Sequence, residues 1–112
     1  MKSLWLRPQI ARILLAMIRH VVMFRWHPEF PEAERVSWLA AVRELPSQIG
    51  VLRSLSAGVD TLGTDRSWDA AIVAEFDTIE DVATYTEHPA HRPLITISGT
   101  GAAEIASVDF II

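Results

Sequence analysis

Apolar and polar positions divide the chain into six segments, some alternating with a period of two and others recurring every three to four residues. Residues 18–26 (IRHVVMFRW) are rich in β-branched and aromatic side chains, and alternation puts His20, Val22, Phe24 and Trp26 on one face. Val21 and Met23 lie between Arg19 and Arg25 on the other, so both faces of this strand are apolar at the centre. Pro28 and Pro31 close the strand and open a helix, with Pro31 suited to its first turn and Glu32 and Glu34 where the helix dipole favours negative charge. Trp38, Val42, Leu45 and Ile49 recur at i, i+4, i+7 and i+11, with Leu39 beside them, as one apolar stripe. Pro46 weakens its last turn and Gly50 ends it.

Residues 51–62 and 68–77 read as the next two strands, joined by the polar turn 63–67. Thr78 is placed to cap a second helix, with Asp81 approximating a capping box and Ile79, Val82 and Ala83 supplying the buried face. Pro89 disfavours helical geometry at His88, so the helix breaks there and a new one starts at Pro89. Gly99 and Gly101 end that helix, and residues 103–112 form a last strand. The order is β-α-β-β-α-β with a broken second helix, an α+β, ferredoxin-like pattern around a four-stranded antiparallel sheet. Helices cover one face of such a sheet. The other carries Val21, Met23, Val108 and Phe110, each worth about 1.5–3 kcal/mol when buried. A second copy covering that face, in a homodimer forming a dimeric α+β barrel, is the expected solution.

The 112 residues suffice for one domain. Absence of cysteine excludes disulfides, thiolate nucleophiles and cysteine-based zinc sites, and fits a cytoplasmic location. Charged residues interrupt every apolar run before the roughly 18–20 residues of a membrane span. Residues 1–16 hold Lys2, Arg7 and Arg12 and no acid, which is +3 of a net −4, so the remainder stands at −7. That acidity, with no basic cluster, argues against a nucleic-acid partner. Arg7, Pro8, Gln9 and Arg12 break the continuous apolar stretch that a signal peptide needs. Residues 1–16 are therefore read as an appendage to a domain spanning 17–112, with an amphipathic helix that docks on a partner as the alternative.

The densest polar segment is Tyr85-Thr86-Glu87-His88-Pro89-Ala90-His91. With His88 at the N-cap of the new helix and His91 in its first turn, His91 shares an inward face with Leu94, Ile95 and Ser98. Burial and the positive end of the helix both lower a histidine pKa, which keeps the imidazole neutral, as a general base must be. Tyr85, one turn before the break, and His20, on the helix-facing side of the first strand, are placed to reach the same space. The structural alternative is a histidine that only hydrogen-bonds a backbone carbonyl beside a tyrosine that closes the core. No metal is expected, because His88 and His91 lack a third ligand at an obvious position and Pro89 spoils the helical spacing.

Arg19-His20-Val21-Val22-Met23-Phe24, Ala57-Gly58, Glu75-Phe76-Asp77-Thr78, Tyr85-x-x-His88-Pro89-Ala90-His91 and Val108-Asp109 together resemble the stress-responsive A/B barrel domain (Dabb) family, in order from about Ile18 to Ile112. The resemblance implies a ferredoxin-like domain that pairs into a dimeric α+β barrel. One plant branch of the family, similar to olivetolic acid cyclase, closes a linear polyketide by intramolecular aldol condensation. Its pattern implies His91 as base, Tyr85 as the group that orients or stabilises the substrate, and His20 in the pocket wall. Leu39 and Val42 stand where the cyclase has larger aromatic groups. The expected site is thus His91 and Tyr85 as catalytic residues, with His20, Val22, Phe24, Leu39, Val42 and His88 binding a small apolar or polyketide-like ligand, without cofactor. A non-catalytic dimeric module for ligand binding or stress tolerance is the second hypothesis. A cofactor-free monooxygenase or haem-associated enzyme, by analogy of fold alone, is the third.

Overall fold

The computed structural model describes residues 17–112, so the expected appendage 1–16 lies outside the described residues. A strand β1 (Ile18–Trp26) leads into helix α1 (Glu32–Arg43) and a short 3-10 turn (Leu45–Ser47). Strands β2 (Leu52–Val59) and β3 (Ala70–Phe76) follow, then helices α2 (Ile79–Glu87) and α3 (Arg92–Gly101), and finally β4 (Ala102–Ile111). The four strands form one antiparallel sheet in the order β2-β3-β1-β4. This is the ferredoxin-like α+β arrangement expected from the periodicity.

The core lies between the helices and one face of the sheet. Phe24, Trp26, Ile72, Ala74 and Phe76 rise from the strands against Trp38, Val42, Leu45, Tyr85 and Leu94 from the helices. Trp38 ties two of these helices together by donating its indole N–H to the Leu94 carbonyl at 3.0 Å. On the opposite sheet face Met23, Val108 and Phe110 are 38%, 55% and 42% exposed. Ion pairs bound that face, with Arg19 to Glu75 at 2.6 Å toward one end and Arg25 to Glu104 at 3.2 Å toward the other. Strand β2 is an edge. Arg43 on α1 donates from Nε and Nη2 to its Ala57 carbonyl, at 3.1 and 2.8 Å.

Several boundaries differ from expectation, each for a local reason. Helix α1 stops at Arg43, because Pro46 has no N–H to give the Val42 carbonyl, and the chain tightens into the 3-10 turn. Pro31 is the N-cap and not a first-turn residue. Strands β2 and β3 are shorter than expected and leave the loop 60–69. There the Asp60 carboxylate takes the Gly63 N–H at 2.7 Å and Ser67 Oγ takes that of Thr64 at 3.0 Å, so side chains hold the turn at the tip of the loop. Thr78 Oγ1 accepts from the Asp81 N–H at 3.3 Å, as a cap should. Ile79 and Ala83 are exposed, however, and the residue that α2 buries most deeply is Tyr85. After the break α3 begins at Arg92, which makes His88 the C-cap of α2 and His91 the N-cap of α3.

Gly101 serves close approach. A Cβ there would lie 2.7 Å from the Phe30 ring, which is itself buried. Gly101→Ala is expected to destabilise the protein by about 1–3 kcal/mol, the usual cost of overpacking. Gly99, inside α3 with nothing within 4 Å of its Cβ position, should behave oppositely. Gly99→Ala is expected to stabilise by up to about 1 kcal/mol. Urea unfolding of the two variants checks both signs.

Candidate active site

The carbonyl of Tyr85 would normally accept from the N–H four residues on, but residue 89 is proline and has none. The chain leaves the helix at His88, whose ψ is 137°, and the Tyr85 carbonyl takes the His88 N–H at 3.2 Å. Its remaining capacity is met from the next turn. His91 Nδ1 lies 3.2 Å from the same oxygen. A carbonyl only accepts, so Nδ1 carries the proton and Nε2 presents the lone pair. The ring stacks on that of Tyr85, with centroids 4.1 Å apart and planes 27° off parallel. Burial holds the His91 pKa below its ordinary 6.5; the backbone hydrogen bonds oppose that shift, while His20 and His88 add to it weakly. The imidazole is neutral at pH 7, with its basic nitrogen defined.

His91 and Tyr85 line a cavity of about 140 Å³ between the sheet and the helices. His20, Val22 and Phe24 of β1 and Val42 of α1 line it too, so six of the eight residues singled out in the sequence meet here. Burial pushes the Tyr85 hydroxyl up to about 12, so at neutral pH it is a donor and not a phenolate. It donates to none of the described residues, and Tyr85 lines the cavity. His20 packs edge-on to Tyr85 with centroids 6.1 Å apart, and its Nδ1 is 2.5 Å from Asp109 Oδ1. Three groups able to exchange or share a proton thus converge on one chamber.

The other two expected residues do not line it. Leu39 lies about 100° round α1 from Trp38, is buried in the core, and lines a different groove that it shares with Trp26, Val59 and Asp69. His88 turns back on its own chain, where Nδ1 accepts the Ala90 N–H at 3.0 Å and closes the turn between the helices. Conversely, Trp38, Ile72, Leu94, Ile95, Ser98 and Ile105 line the cavity without having been singled out as site residues. Asp109 was also missed as a partner of His20. Its signal was the β1–β4 register, which pairs His20 with Asp109 and needs the sheet to be read. Ile95 and Ile105, 40% and 48% exposed, mark the mouth. Among the described residues no three His, Asp or Glu side chains are grouped to hold a metal ion, and no helix is long and apolar enough to cross a membrane.

The family model of the stress-responsive A/B barrel domain matches residues 18–112. The chain belongs to that family. A dimeric ferredoxin-like protein of unknown function from Thermobifida fusca is 28% identical, over 87% of this chain and 92% of its own, with a TM-score of 0.79. A second dimeric protein of unknown function, from Bacteroides fragilis, is 27% identical over 88% and 99%, with a TM-score of 0.74. The hydroxynitrile lyase of Passiflora edulis shares the fold, with a TM-score of 0.78 over 88% and 94% at 18% identity. No protein of curated function matches the chain in sequence.

The depressed His91 pKa has a signed consequence for this Dabb domain. Unfolded His91 binds its proton near 6.5 and folded His91 only at lower pH. Between the two values the unfolded state holds more protons, so stability rises with pH there and is flat above. In His91→Asn an amide N–H takes the place of Nδ1 and does not titrate. The stability advantage of the native protein over this variant should shrink as pH falls below 6.5, measured by urea unfolding from pH 8 to pH 5.

Proposed function

We propose that this protein is a homodimeric, cofactor-independent enzyme in which His91 is the general base for carbon–carbon bond chemistry on a small carbonyl compound. The supporting observation is the hydrogen bond from His91 Nδ1 to the Tyr85 carbonyl, which leaves Nε2 unprotonated on a ring that lines a cavity together with Tyr85 and His20. In the aldol direction, Nε2 takes a proton from the carbon alpha to one carbonyl and the enolate attacks a second carbonyl. Tyr85 donates to the oxyanion as charge develops, and the imidazolium returns its proton to the new alkoxide. The reverse reaction starts with removal of the hydroxyl proton. A hydroxynitrile lyase on the same fold is compatible with that direction.

The chamber bounds the substrate. A dry engineered cavity of about 150 Å³ takes up benzene, so about 140 Å³ suits one ring or a short branched chain. That size favours a one-ring aldehyde or its adduct over the linear polyketide of the plant cyclases. The exposed apolar sheet face supports pairing with a second copy, and two solved relatives are dimeric.

Purified protein is expected to release benzaldehyde from its cyanohydrin or its acetone aldol adduct, followed by ultraviolet absorbance. His91→Asn should lower that rate by at least about 100-fold, the usual contribution of a positioned base, with melting temperature little changed. Full turnover by the variant overturns the assignment, and absence of turnover by the native protein on any one-ring carbonyl adduct favours the non-catalytic binding module. Light scattering at micromolar concentration should give the mass of a dimer, and Val108→Glu on the bare sheet face should give a folded monomer.

A further inference from the structure

Ser98 is the buried polar side chain that the chemistry above leaves without a task. It is 5% exposed, lies on α3 seven residues after His91, and lines the same cavity. Its hydroxyl donates to the Ile95 carbonyl at 3.3 Å, which uses its one proton and leaves its oxygen free to accept. Seven residues of helix advance about 10 Å. The cavity is therefore polar at both ends, with His91, Tyr85 and His20 at one and the Ser98 oxygen at the other. Leu94, Trp38 and Ile72 among its walls offer only carbon to the space between, because the Trp38 N–H is held by the Leu94 carbonyl.

We propose that Ser98 is a substrate-recognition residue, and that the preferred ligand is a one-ring carbonyl compound with a hydroxyl across the ring from the reacting group. The ligand hydroxyl donates to Ser98 Oγ while the carbonyl oxygen lies against the Tyr85 hydroxyl and His91. The ring lies between these two polar groups, which places the ligand hydroxyl opposite its reacting carbonyl. The inference rests on the cavity being the reaction site, and it adds the second polar function that the substrate carries. A serine inside a helix often only bonds back to its own turn. Such a serine gives a ligand hydroxyl no preference.

The test compares benzaldehyde with 4-hydroxybenzaldehyde on the full chain and on Ser98→Ala, by calorimetric titration. Alanine suits a helix interior, so the variant folds, and circular dichroism verifies it. The native protein should bind 4-hydroxybenzaldehyde roughly tenfold more tightly than benzaldehyde, a ratio that corresponds to about 1.4 kcal/mol. Ser98→Ala should bring that ratio close to one. If the native protein binds both aldehydes equally, or the variant keeps the preference, the role of Ser98 is overturned while the cavity stands. If the native protein binds neither, the cavity reading falls and this inference with it. 4-Methylbenzaldehyde, which has the length without the donor, must show no preference for the native protein; equal enhancement by the methyl group also overturns the assignment.

Discussion

One missing hydrogen organises the site. Because residue 89 is proline, the Tyr85 carbonyl loses its helical donor in a place where an unpaired acceptor is costly. The fold answers by breaking the helix, turning the chain through His88–His91 and supplying a side-chain donor from His91. The same contact fixes the imidazole tautomer and lays its ring on that of Tyr85. One bond satisfies the backbone and sets the tautomer together.

The two alternatives posed by the sequence, a histidine that bonds a carbonyl and a histidine that works as a base, are consequently not opposed. One nitrogen anchors and the other is free. Removing the anchor while asking about the base confounds them, which is why asparagine and not alanine is the informative replacement. The small cavity and the buried tyrosine reinforce this arrangement, since low exposure is what depresses the histidine and lifts the phenol further above neutral pH.

Much of the fold was legible because its signals are local. Alternation in residues 18–26 sorts the faces of β1, Thr78 caps α2, and Pro46 and Pro89 interrupt their helices wherever the tertiary structure places them. The site was legible to the extent that it is built on those elements, which is why His20, Val22, Phe24, Val42, Tyr85 and His91 come together. Leu39 and His88 fell outside because neighbours in sequence do not share an azimuth on a helix or a direction in a turn. Asp109 depends on a pairing 89 residues distant, which no local pattern records. The loop 60–69 is longer than the expected turn 63–67, whose Gly63 and Thr64 N–H groups are held by the side chains of Asp60 and Ser67.

The guanidinium of Arg43 bears on more than local packing. It occupies an acceptor on the outer edge of β2 with two bonds. A foreign strand seeking to extend the sheet on that side must evict a charged fork that is already satisfied. In a crowded cell, where chance strand pairing is a route to insoluble aggregates, this single side chain works as a stopper against unwanted polymerisation.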